Sequence, residues 1–130
     1  MKVISIRQPW AWLICARFKD IENRSWNTNF RGFILIHAGK KIDKEGLEWV
    51  RVNRPDIELP TEFRTGGIVG NVEVVDCVSS HNSPWFFGEF GFVLENQASM
   101  NFVPLKGQLR IFNFNPSMHT IQNGHKGVQY

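Results

Sequence analysis

Cysteine is scarce in this chain: Cys15 and Cys77 are the only two among 130 residues, and neither falls in a metal-ligand spacing. Both lie in segments that read as a buried helix and a buried strand, so small core residues are a better account than a disulfide or a reactive thiol. The four histidines, His37, His81, His119 and His125, are scattered without a His-x-x-x-His or Cys-x-x-Cys pair. Neither zinc nor another metal cofactor is expected. No apolar run approaches the roughly 20 residues that cross a bilayer. The opening Met1-Lys2-Val3-Ile4-Ser5-Ile6-Arg7 alternates like a strand and lacks a signal-peptide core and cleavage site. These absences set aside membrane partners and predict a cytoplasmic protein. Internal repeats, low-complexity blocks and coiled-coil heptads are also missing, which excludes repeat arrays and fibrous assemblies.

What is present suits one compact domain. A chain of 130 residues buries about two-thirds of its unfolded surface, enough for a single core without staples. The apolar content is rich in aromatics, with 11 Phe and 5 Trp. The net charge of +3 is mild but unevenly placed. Residues 1–65 carry 12 Lys plus Arg against 8 Asp plus Glu, whereas residues 66–130 carry 3 against 4. An N-terminal positive excess favours an anionic ligand such as a nucleotide or nucleic acid.

That half contains Phe18-Lys19-Asp20-Ile21-Glu22-Asn23-Arg24-Ser25-Trp26. If Ile21 to Trp26 is extended, the period of two sends Glu22, Arg24 and Trp26 to one face. Lys19, at the end of a helix, reaches over the same face. Lys and Arg can hold a phosphate, an indole can stack a base, and a carboxylate can orient a ligand or transfer a proton. The plainer reading is an exposed strand with neighbouring ion pairs that contribute little stability.

The remaining pattern is mixed. Val3–Arg7 is a strand, and Gln8-Pro9 opens an apolar helix through about Phe18, with the proline where its missing N–H costs nothing. Strands follow at Ile21–Trp26 and Gly32–His37. A helix runs from Asp43, its N-cap, to about Asn53, with Leu47 and Val50 inward. Ile68–Val78 is a long β-branched strand with Gly70 at a bulge or close approach. Phe90–Asn96 and Leu109–Phe114 complete six strands, and residues 116–130 form a polar tail. The fold class is α+β, with a barrel-like mixed sheet.

The order Ile4-Ser5-Ile6-Arg7-Gln8-Pro9-Trp10-Ala11, then Lys19 to Trp26, Arg31-Gly32 and Ile36-His37-Ala38-Gly39-Lys40-Lys41 closely resembles the ASCH domain family. The likeness continues through Gly66-Gly67-Ile68-Val69-Gly70, Val74-Val75-Asp76-Cys77, Phe92-Val93-Leu94-Glu95 and Pro104-Leu105-Lys106-Gly107. Of the family hallmark G-x-K-x-x-E-x-R, Lys19, Glu22 and Arg24 are present, and Arg17 stands where the glycine belongs. The resemblance implies a PUA-like mixed β-barrel with flanking helices and a cleft beside the first helix, within an ASCH domain at residues 1–115.

Two function classes follow. In the first to be preferred, the domain binds RNA, another single-stranded nucleic acid or a nucleotide, without a cofactor, using Arg7, Gln8, Trp10, Lys19, Arg24, Trp26, Lys40 and Lys41. Gln8 would read a base edge and Trp10 would stack, although Trp10 is equally well placed to anchor its helix, the reading preferred for it. Lys40 and Lys41 would contact phosphate, against the ordinary reading of solvated surface. In the second class, Lys19, Glu22 and Arg24 are catalytic in a metal-independent ribonuclease or modified-nucleoside hydrolase. Relatives that deacetylate acetylated cytidine use Lys with a Thr nucleophile, and the position matching that Thr is Glu22, which has no hydroxyl. His37 reads as a satisfied structural histidine. Trp85, Phe86 and Phe87 cap the barrel or close over a ligand.

Overall fold

The computed structural model describes residues 1–114. The polar tail expected at 116–130 lies outside the described residues. Eight elements run in the order β1 (Lys2–Gln8), α1 (Trp10–Cys15), β2 (Ile21–Arg24), β3 (Gly32–Ile42), α2 (Lys44–Asn53), β4 (Gly67–Val78), β5 (Phe90–Pro104) and β6 (Ile111–Asn113). The strands form one six-stranded sheet ordered β2-β5-β4-β3-β1-β6. Only β1 and β3 are parallel, with Val3 opposite Leu35 and Ser5 opposite His37; the other pairs are antiparallel.

The expected α+β class holds, but the sheet does not close into a barrel. Its outermost strands, β2 and β6, have four and three residues and do not pair with each other. Such short edges offer few backbone groups with which to close a cylinder.

Alternation on the strands builds the core. Ile4, Ile6, Ile34, Ile36, Val72 and Val74 meet Ala11, Ile14 and Cys15 of α1 in one cluster, while Val3, Leu35, Ile68, Val103 and Phe112 make a second. Cys15 and Cys77 are free thiols, and burial pushes the Cys15 pKa up to about 12, which suits a core residue. The β4–β5 register shifts between Ile68 and Gly70. A Cβ on Gly70 would stand 2.4 Å from both the Ala98 carbonyl oxygen and Cys15 Sγ, so the close approach there requires glycine.

Several boundaries differ from the sequence expectation, for local reasons. Helix α1 follows a cis Gln8–Pro9 bond and stops at Cys15, three residues short of Phe18. Arg17 is left-handed at φ 70°, and the N–H groups of Phe18 and Lys19 both turn back to the Leu13 carbonyl. This is the place where a helix end favours glycine. Strand β3 runs on to Ile42 because Gln8 of β1 pairs with Ile42. β5 runs well past Asn96, which adopts φ 57°. Asp43 caps α2 as expected, accepting from the Gly46 N–H at 2.9 Å.

His37 is buried and both ring nitrogens are bonded. Nε2 lies 2.5 Å from the Leu105 carbonyl oxygen. That oxygen can only accept, so Nε2 carries the proton, and Nδ1 accepts from Ser5 Oγ at 2.8 Å. The chain ends of the sheet also meet: the Met1 amino group donates to the Phe114 carbonyl at 2.9 Å, and the Phe114 N–H returns to Met1 O at 2.7 Å. Among the described residues, no helix is long and apolar enough to cross a membrane.

Candidate functional site

The left-handed turn at Arg17 reverses the chain and delivers Lys19 to the start of β2. The period of two along β2 then sets Glu22 and Arg24 side by side. Arg24 Nε donates to Glu22 Oε2 at 2.9 Å, and Arg24 Nη2 donates to the Ser5 carbonyl of β1 at 2.7 Å. Lys19 Nζ donates to the Ile21 carbonyl and stands 3.5 Å from Glu22 Oε1. One carboxylate is therefore shared between an ammonium and a guanidinium.

This cluster is not a solvated surface pair. Lys19 is 3% exposed and Glu22 7%, so water does not screen them as it would at the surface. Burial pushes the Lys19 pKa below its ordinary value, and attraction to Glu22 opposes that fall. An ammonium that yields its proton more readily than a solvated lysine, beside a carboxylate and a permanent cation, has the equipment of general acid–base chemistry.

The cluster faces a cavity of about 740 Å³. Trp10 forms part of its wall, with the ring centroid 5.7 Å from Lys19 Nζ and its Nε1 donating to Asp43 Oδ2 at 3.0 Å. The bonds from Gly46 N–H and Trp10 hold the Asp43 carboxyl below its ordinary pKa. Arg7 Nη2 lies 3.9 Å from the same carboxylate. Trp10 comes this close to α2 because residue 46 is glycine: a Cβ there would stand 2.3 Å from Trp10 Cζ2.

A second wall is held by Asn23, whose Nδ2 donates to the Trp85 carbonyl and whose Oδ1 accepts from the Phe87 N–H, both at 2.9 Å. Trp49 of α2 meets Phe87 edge-on at 5.5 Å and Trp85 at 6.0 Å. Trp26 packs its edge on Phe92 and has the guanidinium groups of Arg24 and Arg110 at 5.8 and 4.7 Å from its ring centroid.

Of the residues singled out from sequence, Arg7, Trp10, Lys19, Glu22, Arg24 and Trp26 line this cavity. Gln8 does not. It is buried, giving Nε2 to the Arg64 carbonyl and taking the Trp12 N–H on Oε1, each at 2.8 Å. Lys40 and Lys41 are also outside the lining, exposed at the end of β3, which suits the reading of solvated surface in place of phosphate contact at this site. Trp85 and Phe87 do line the cavity, and Phe86 does not.

Sequence reading missed Ser5, Asn23, Glu45, Gly46 and Trp49 as lining residues, and took Asp43 only for a cap. The available signal was on α2, where Glu45 and Trp49 share a face four residues apart. Arg7, Lys19 and Arg24 are matched in number by Glu22, Asp43 and Glu45, so the lining carries no formal excess. Among the described residues, no group of three or more His, Cys, Asp or Glu side chains gathers around a metal position.

An ASCH domain model matches residues 4–112. The chain belongs to the ASCH domain family. Over 96% of its length, this ASCH domain is 28% identical to activating signal cointegrator 1 of Homo sapiens and 29% identical to that of Mus musculus. It spans 24% of the length of those proteins. Among solved structures, it is similar to a serine-to-alanine mutant of ZmASCH from Zymomonas mobilis, with TM-score 0.55 and 13% identity over 94% of this chain and 92% of that one. A tyrosine-to-phenylalanine mutant of the same protein gives TM-score 0.54 and 14% identity, covering 94% of each chain. At these identities, the structural likeness is one of fold.

Proposed function

We propose that this ASCH domain binds RNA or a nucleotide by holding one nucleotide unit in the cavity. The observation that carries the reading is the buried Lys19–Glu22–Arg24 cluster at the wall of an aromatic-lined cavity. Its volume lies within the range of small-ligand sites, about 300–1,000 Å³. Glu22 neutralises only one of its two cations, leaving a local positive charge for a phosphate, and the rings supply stacking surface. The balanced charge of the lining suits one nucleotide better than a long polyanion track, so binding should depend on salt less steeply than that of a duplex-binding protein.

The test is titration of a short single-stranded RNA and a mononucleotide, at two salt concentrations, against wild type and Arg24→Ala. Affinity in the variant should fall on the order of tenfold or more, as for loss of a charge-assisted contact. Equal affinity in both proteins, with circular dichroism showing the variant folded, would remove Arg24 from the site. No binding to either ligand by wild type would end the reading.

A second reading is supported by the lowered pKa of Lys19 beside Glu22. For a phosphodiester, Arg24 would stabilise the pentacoordinate anion while Lys19 and Glu22 exchange protons with the attacking and leaving oxygens. Glu22→Gln separates the readings. Turnover lost with affinity retained identifies a hydrolase, and no turnover in either form identifies a binding module.

A further inference from the structure

We infer that α2, which lies outside the Lys-Glu-Arg motif, supplies the base-selecting wall of the cavity. Trp49 is its stacking ring, and Glu45 is an acceptor that favours bases offering adjacent N–H donors, guanine first and uracil last. The inference rests on the reading that the cavity takes a nucleotide.

The other indoles in the lining are already engaged by cations of the chain. Lys19 faces Trp10 at 5.7 Å, Arg24 and Arg110 face Trp26 at 5.8 and 4.7 Å, and Arg54 faces Trp85 at 5.2 Å. Trp85 is also only 3% exposed. Among the described residues, Trp49 is the lining indole with no cation over its ring. It is half-buried, and its neighbours Phe87 and Trp85 meet it at interplanar angles of 87° and 60°.

The carboxylates sort in the same way. Glu22 is held by Lys19 and Arg24. Asp43 is held by Gly46 N–H and Trp10 Nε1, with Arg7 at 3.9 Å. Glu45, in the first turn of α2, lines the cavity and has no hydrogen-bond or ion-pair partner among the described residues. It precedes Trp49 by four positions, which puts the two Cβ atoms about 5–6 Å apart on one helix face. A base stacked on Trp49 therefore brings a polar edge within reach of Glu45.

An ionised carboxylate only accepts. Guanine offers N1–H and N2–H in parallel, matching both oxygens. Adenine and cytosine each offer one amino group, whereas uracil offers N3–H between two carbonyl oxygens that the carboxylate repels. Selection of this kind needs no contact from the motif residues.

The test is titration of four trinucleotides, with central G, A, C or U between uridines, against wild type, Glu45→Gln and Trp49→Leu. Wild type should prefer central G over central U on the order of tenfold. Glu45→Gln, which adds a donor at an exposed position, should bring the two within about twofold, chiefly by improving U. Trp49→Leu should weaken all four, as expected for loss of a sequence-tolerant stack. Binding with no central-base preference in wild type, or with the preference unchanged in Glu45→Gln, overturns the inference and leaves the nucleotide reading standing. No binding of any trinucleotide by wild type overturns both.

Discussion

Arg17 occupies a position where the backbone asks for glycine. Its φ of 70° is left-handed, a conformation that costs a residue with a Cβ about 1–2 kcal/mol. The side chain recovers part of this through Nε–H donating to the Gln97 carbonyl at 3.1 Å. Arg17→Gly and Arg17→Ala both lose that bond, and only glycine relieves the backbone. The glycine variant should therefore be the more stable of the two by about 1 kcal/mol in urea unfolding, an offset that equal stabilities would refute. The departure from the family hallmark was visible in sequence, but its resolution was not. Whether a turn survives without its glycine depends on a partner 80 residues away on β5. Gln8 shows the same limitation: an amide beside a suspected cleft reads as a base contact, yet its two bonds go to Trp12 and Arg64.

At the scale of elements, α2 carries what the sequence reading passed over. Its cap at Asp43 and its inward Val50 were legible from residue type and period. Its second role, as a cavity wall, depends on how near α1 lies, and that distance is set by the absent side chain of Gly46. Gly46→Ala should push Trp10 away from Asp43 and destabilise the fold by about 1–3 kcal/mol, as overpacking does, despite the better helix propensity of alanine. Thermal unfolding together with the Trp10 indole N–H resonance checks this. An unmoved resonance and unchanged stability would show that the two helices have room. The strands divide similarly. β4 is legible almost to its ends because β-branched alternation is strong there, whereas the Gly39-Lys40-Lys41 end of β3 lies beyond His37, where the apolar pattern stops. No local pattern announces the pairing of Ile42 with Gln8.

Across the whole molecule, the sheet order puts β2 at one end and β1 next to the other, yet the Arg24 side chain joins them through the Ser5 carbonyl. Side chains thus span a gap that backbone pairing leaves open, which a barrel expectation drawn from strand count does not anticipate. Behind that junction, burial holds the His37 pKa below its ordinary range near 6.5, against the opposing pull of the Leu105 carbonyl. The sign follows from linkage. The unfolded chain accepts a proton that the folded one resists, so this contribution is whole above about pH 6.5 and is lost as pH falls from there toward the folded value. Urea unfolding between pH 7 and 5 should show a shallower acid loss in His37→Asn than in wild type, and parallel curves would exclude the histidine as its source. The pairing of Met1 with Phe114 continues the β1–β6 ladder one step past Lys2 and Asn113. A three-residue edge strand is thereby fastened at its far end as well, so amide exchange in β6 should follow the opening of β1 in place of independent fraying.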